Sequence, residues 1–120
     1  MDTVLDQAVL EELLSFADDG DPELLLDLIH LFLEDSPSKV AAVQESLANG
    51  DFEAAEHAAH ALKGSAGNLG ARLVQDVCEQ LQVSTRKQQM DACRELAPKL
   101  VAHYAEAEQA LKQVMAKYKA

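Results

Sequence analysis

The stretch from Glu53 to Gly67 holds two histidines, a lysine and two glycines at helical spacing. His57 and His60 stand about one turn apart, Lys63 follows one turn after His60, and Gly64 and Gly67 come next. Imidazole titrates close to neutrality, so a solvent-facing ring offers a bare nitrogen to an electrophile or a metal. At about 100° per residue, Phe52, Ala55, Ala59, Leu62, Ala66 and Leu69 fall on one side, the core face. His60 projects away from that stripe, and Glu53, His57, Gly64 and Gly67 share its side. The pattern predicts an exposed His60 on the flank of a helix.

A glycine inside a helix costs roughly 1 kcal/mol relative to alanine. Gly64, one turn after His60, leaves bare backbone where another protein could come close. Gly67 has the same facing but sits near the helix end, where it could serve to terminate the helix. The ammonium of Lys63 can reach a charge placed on the His60 ring. A phosphoryl group there would bring close to two negative charges into a chain whose net charge is already −11, and a nearby cation offsets that. The plain alternative is a solvated lysine paired with Glu53 or Glu56.

The run His60-Ala61-Leu62-Lys63-Gly64-Ser65-Ala66-Gly67-Asn68-Leu69-Gly70-Ala71 resembles the signature of histidine-containing phosphotransfer (HPt) domains. The resemblance implies an all-α bundle with no ATP site and no catalysis of its own. It implies that the histidine takes a phosphoryl group from a receiver-domain aspartate of a response regulator and relays it to another receiver. By position, His60 matches the phosphorylated histidine, with Nε2 as the attacking atom. Lys63 matches the charge-stabilising residue and Gly64 the small residue that admits the receiver. Ala61, His57, Gly67 and Asn68 are further docking candidates, with exposed parts of the first two helices. The implied partners are response-regulator receivers and a hybrid sensor histidine kinase. No cofactor is expected on this chain, and Mg²⁺ is expected in the partner receiver.

These residues need a rigid frame, and the punctuation supplies one. Asp21-Pro22 reads as an N-cap followed by a first-turn proline, Ser36-Pro37 as a break with Ser36 capping the next helix, and Asn49-Gly50-Asp51 as a C-terminal glycine and a new N-cap. Gly67-Asn68-Leu69-Gly70 and the polar stretch 84–89 are further breaks. Helices are predicted over 4–17, 22–35, 37–49, 51–68, 71–84 and 90–118, the second and third being one kinked element if Pro37 does not stop it. In the last, Cys93, Leu96, Leu100, Tyr104, Ala107, Leu111, Val114 and Tyr118 form a bundle-type stripe. Helix 22–35 is apolar over more than one seam, so helix 4–17 is expected to cover it. The architecture is an antiparallel four-helix bundle with an additional short N-terminal helix, one domain over 1–120.

Composition sets bounds. Twenty-one acidic against ten basic residues argue against nucleic acid and anionic membrane as partners. Cys78 and Cys93 fall in apolar helical patterns and read as small buried hydrophobes. The first residues lack the basic region of a signal peptide, and Leu24–Leu33 is too short and polar to span a bilayer. A free-standing, monomeric, cytoplasmic protein is the expectation. Two other functional classes remain: a helical interaction module whose histidine is not phosphorylated, and a metal-binding bundle using Glu53, Glu56, His57 and His60. The latter is disfavoured because the set faces outward without partners on another helix, while His30 and His103 stand alone.

Overall fold

The structure is a computed structural model that describes residues 4–16 and 21–119. Five helices follow one another: α1 (Gln7–Ser15), α2 (Glu23–Ala48), α3 (Phe52–Asn68), α4 (Arg72–Arg86) and α5 (Met90–Lys119). Helices α2 to α5 form the bundle. In it α3 lies against α2 and α4, and α5 lies against both α4 and α2, closing the ring, with α1 on α2.

The three connections inside the bundle are built alike, each three residues long. The middle residue has a positive φ in each case: 72° at Gly50, 74° at Gly70 and 55° at Gln88. Each turn closes with a pair of backbone bonds characteristic of a left-handed helix stop. After α3, for example, the Ala71 N–H donates to the Ala66 carbonyl at 2.9 Å and the Gly70 N–H to the Gly67 carbonyl at 3.2 Å. Such short reversals force neighbouring helices to run antiparallel. Helix α3 then starts from Asp51, whose carboxylate accepts the Ala54 N–H at 3.0 Å. Helix α2 starts one residue later than the Asp21-Pro22 pattern predicts: Pro22 is its N-cap residue and brings no side-chain cap, while the Asp21 carboxylate accepts the Glu23 N–H at 3.0 Å from just outside the helix.

The core is aliphatic. Leu25, Ile29, Phe32, Val43, Leu62, Leu81, Leu100 and Leu111 are all buried in one cluster, and Phe32 meets Tyr104 at a 5.8 Å ring separation. The expected stripe on α5 is buried from Cys93 to Leu111, while Val114 and Tyr118 are only partly covered.

The proline at 37 does not divide the second helix: α2 runs unbroken through it for 26 residues. Ser36 is therefore no cap. It is buried at 1% exposure in mid-helix, because packing on both sides of Pro37 holds the segment helical despite the lost N–H. Helix α1 is shorter than 4–17. It begins after Asp6, which caps it by accepting the Ala8 N–H at 3.0 Å, and residue 17 lies outside the described residues. It covers α2 only in part, since Leu24 and Leu31 stay 42% and 53% exposed.

The chain before α1 is fastened to the α3–α4 turn. The Asp6 N–H donates to the Gly70 carbonyl at 2.8 Å, and Arg72 Nε donates to the Asp6 carboxylate at 2.6 Å. That guanidinium holds the Asp6 carboxyl below its ordinary range.

Candidate functional site

Alanine builds the contact side of α3. Ala55, Ala59 and Ala66 are buried with Leu62, and such small residues let the α4 backbone come close. Helix α4 packs against α3, and its buried apolar residues are Val74, Val77, Cys78 and Leu81. One cross-helix seam results, and its register can be read from four pairs. Gly67 lies against Gln75. Lys63 Nζ donates to Glu79 Oε2 at 2.6 Å. Gln82 Nε2 lies 3.0 Å from His60 Nδ1. Arg86 Nε donates to Glu56 Oε1 at 2.7 Å. The two residue numbers of each pair have the same sum, the mark of an antiparallel register.

His60 is exposed, as its helical phase predicts. It is not free, however. Gln82, only 2% exposed, reaches out of the bundle and holds the ring through Nδ1. That leaves Nε2 as the ring nitrogen that Gln82 does not engage. Gln82 Oε1 is buried without a hydrogen-bond partner among the described residues.

Lys63 stands one turn from His60 but pairs with Glu79, neither with Glu53 nor with Glu56. The Lys63 ammonium, by hydrogen bond and charge, keeps the Glu79 carboxyl below its usual range. On the other side of His60, Glu56 is taken by Arg86. A shallow cup of about 350 Å³ lies there, lined by Glu53, Glu56, His57, His60 and Arg86. The site thus has two cations, one from each helix, where the sequence pattern offered one.

The remaining candidates divide. A side chain at Gly64 would meet nothing within 4 Å, so this position is open as expected. Gly67 is different. A Cβ there would come within 2.8 Å of Gln75 Nε2, so this glycine makes room for α4 instead of clearing an approach from outside. The core stripe of α3 alone does not reveal how far α4 extends over this face. His57 and Ala61 line a groove of about 560 Å³ on the α2 side, together with Lys39. Asn68 is exposed beside a small cleft that includes Leu31. His30 and His103 are surface residues, bonded at 2.9 Å to Glu34 and Glu106 respectively. Among the described residues no group of three or more His, Cys, Asp or Glu is placed to hold a metal ion.

Gln82 and Arg86 are the residues that the sequence pattern alone does not mark. The signal that finds them is the short turn at 69–71. Once α3 and α4 are adjacent and antiparallel, position 82 must lie opposite position 60.

Comparison with known proteins decides the family. A family model described as Hpt domain matches residues 27–116. The chain belongs to the Hpt domain family. This Hpt domain is 31% identical over 85 residues to histidine-containing phosphotransfer protein 5 of Arabidopsis thaliana, a match covering 68% of this chain and 54% of that protein. It is 29% identical over 79 residues to multistep phosphorelay regulator 1 of Schizosaccharomyces pombe, covering 66% of this chain and 27% of that one. The chain thus spans about half the length of the first relative and less of the second. Among solved structures, histidine-containing phosphotransfer protein B from Pseudomonas aeruginosa PAO1 superposes with a TM-score of 0.88 at 28% identity, covering 98% of this chain and 99% of that one. The maize protein ZmHP2 shares the fold, with a TM-score of 0.84 at 21% identity, over 98% of this chain and 86% of that one. No helix of the described residues is long and apolar enough to cross a membrane.

Proposed function

We propose that this Hpt domain is a phosphocarrier in a phosphorelay. His60 accepts a phosphoryl group from an aspartyl phosphate on a response-regulator receiver and passes it to the aspartate of another. The observation that carries this reading is the His60–Gln82 contact on an Hpt fold: an exposed imidazole held at Nδ1, with Nε2 left over for a phosphoryl group.

Gln82 suits the chemistry in one of its two orientations. When its N–H points at Nδ1, the ring proton sits on Nε2 and that nitrogen is no nucleophile. Turned by half a turn, the amide offers Oε1 to an Nδ1–H, and Nε2 is bare. In either orientation one amide atom stays buried without a partner, so neither is strongly preferred. In the second orientation the Nε2 lone pair forms the N–P bond as the P–O bond of the aspartyl phosphate breaks. The bonding pair leaves with the aspartate carboxylate, and the Nδ1 proton stays on the ring, held by Gln82. The ring becomes cationic and the phosphoryl group anionic, and we assign Lys63 and Arg86, on either side of His60 along the seam, to offset its charge.

The domain contributes a positioned nucleophile and cations, and we assign it no turnover of its own. The Mg²⁺ that phosphoryl transfer requires is assigned to the receiver. Gly64 is the open place for that partner, with Ala61, His57 and Asn68 around it, and a hybrid sensor kinase is the proposed source upstream. A cytoplasmic setting goes with that partnership.

The test is direct. After incubation with a receiver phosphorylated on aspartate, the chain acquires an acid-labile, base-stable label. His60→Gln removes the label while circular dichroism stays helical, and His57→Gln keeps it. Full labelling of His60→Gln would overturn the assignment.

A further inference from the structure

The seam around His60 carries two ion pairs of opposite sense. On one side the cation, Lys63, is on α3 and its carboxylate, Glu79, on α4. On the other the carboxylate, Glu56, is on α3 and the cation, Arg86, on α4. The contact with Gln82 fixes His60 between them. Each cation thus flanks the ring and is already occupied.

We propose that Glu79 and Glu56 are positioning residues that hold Lys63 and Arg86 off the bare ring and surrender them to the phosphoryl group when it arrives. This rests on the assignment of His60 as phosphoryl acceptor. The phosphoryl group itself carries nearly twice the charge of a carboxylate, spread over three acceptor oxygens. An ammonium has three donors and a guanidinium five, so each cation has donors to spare while the handover takes place. The side chains have room to move: Lys63 is 30% exposed and Glu79 57%, and Arg86 is 60% exposed and Glu56 31%. A carboxylate left behind there is taken up by water at little cost.

The handover has two consequences. The carboxylates weaken the site's hold on the phosphoryl group, because part of each cation's attraction goes to breaking an existing pair. A carrier that must give its group away gains by such a counterweight. The handover also changes the surface: the phosphorylated domain presents two released carboxylates, Glu79 and Glu56, that the unphosphorylated one keeps paired. A receiver can therefore tell the two forms apart by charge arrangement as well as by the phosphoryl group itself.

The test is the equilibrium constant for phosphoryl exchange with a single phosphorylated receiver, measured at low salt for the wild type, Glu79→Gln, Glu56→Gln and the two combined. Each substitution is expected to shift the balance toward phosphorylated His60 by about two- to fivefold, the reach of a surface ion pair. The gain from Glu79→Gln should vanish in a Lys63→Met background. The same gain in both backgrounds would mean that Glu79 acts by simple repulsion, and the handover would be refuted. At pH 8 the ¹³C resonance of the Glu79 carboxyl should move on phosphorylation of the wild-type chain. An unmoved resonance, or unchanged exchange constants in all variants, also refutes it. A wild-type chain that takes no label at all removes the phosphoacceptor reading and this inference together. A labelled chain with unresponsive variants removes this inference alone.

Discussion

Gln82 reaches the His60 ring from inside the bundle, and few interior positions tolerate an amide. It is 2% exposed, and one of its polar atoms has no partner among the described residues. A buried amide so poorly satisfied costs stability. Under the proposed function its return is a positioned ring, with Nδ1 held and Nε2 left for the phosphoryl group. Replacing it by leucine separates the two effects. In Gln82→Leu the melting temperature should hold or rise, because an unpaired buried group has gone. Phosphoryl acceptance should fall by about fivefold, the worth of a single hydrogen bond of roughly 1 kcal/mol in the transition state. The checks are a thermal melt and the initial rate of labelling by a phosphorylated receiver. An unchanged rate would make Gln82 a packing residue only. The sequence announced His60, Lys63 and Gly64 because they lie close together on one helix. Gln82 and Arg86 were invisible at that level: each becomes a neighbour of His60 only through the register of a second helix.

Helix α3 illustrates how an element can trade stability for access. Gly64 faces open space, so Gly64→Ala should stabilise the domain by about 1 kcal/mol, read from chemical denaturation. Gly64→Gln should keep most of that gain while slowing transfer, because on the proposed function its longer side chain stands where a receiver would approach. A destabilised Gly64→Ala would mean that the position is packed. The helix stops give a second contrast. Gly70 has a φ of 74°, and a Cβ there would lie 3.0 Å from the backbone nitrogen and oxygen of Asp6. Gly70→Ala should therefore cost more than the roughly 1 kcal/mol of a left-handed residue alone, since backbone cannot step aside. Gln88 adopts the same conformation without being glycine, and Gln88→Gly should stabilise by up to about 1 kcal/mol. A Gly70→Ala cost no larger than the gain from Gln88→Gly would show that the turn before α4 is not pinned by the N-terminal segment. Two of these stops were legible, because Gly50 and Gly70 are glycines. The third was readable only as a polar stretch, since nothing in a glutamine declares a positive φ. Ser36-Pro37 misled for the opposite reason. A proline usually punctuates, but Ile29 and Phe32 before it and Val40 and Val43 after it are all buried, and that shared burial carries α2 through.

The molecule as a whole is a closed ring of helices whose interior has few ways to accept charge. Cys78 and Cys93 are both fully buried, and burial raises both thiols. For Cys78 the loss of hydration outweighs the opposing pull of Lys63 and pushes the group up to about 12. Burial likewise lifts the Tyr104 phenol to about 12, with Glu108 adding to the rise. Below the ordinary thiol range both folded and unfolded chains hold Cys78 neutral, and its contribution to stability is intact. As pH climbs past about 9, the unfolded chain ionises its thiol while the fold keeps it protonated, so the balance moves toward unfolding. The loss grows toward pH 12 at no more than about 1.4 kcal/mol per pH unit for one group. Between about pH 8.5 and 10.5 the unfolding free energy should therefore fall by about 1 to 2 kcal/mol on account of Cys78. Other alkaline effects, including growing repulsion in a chain already at −11, act on every variant alike. Cys78→Ala isolates the thiol. It should be less stable than the wild type at neutral pH through the small cavity it leaves, yet lose less stability over the same alkaline interval. Urea unfolding at neutral and alkaline pH in both proteins checks this. Parallel losses would mean that the Cys78 thiol is not what the alkaline fold is protecting, and that the loss lies with Cys93, with Tyr104 or with the net charge.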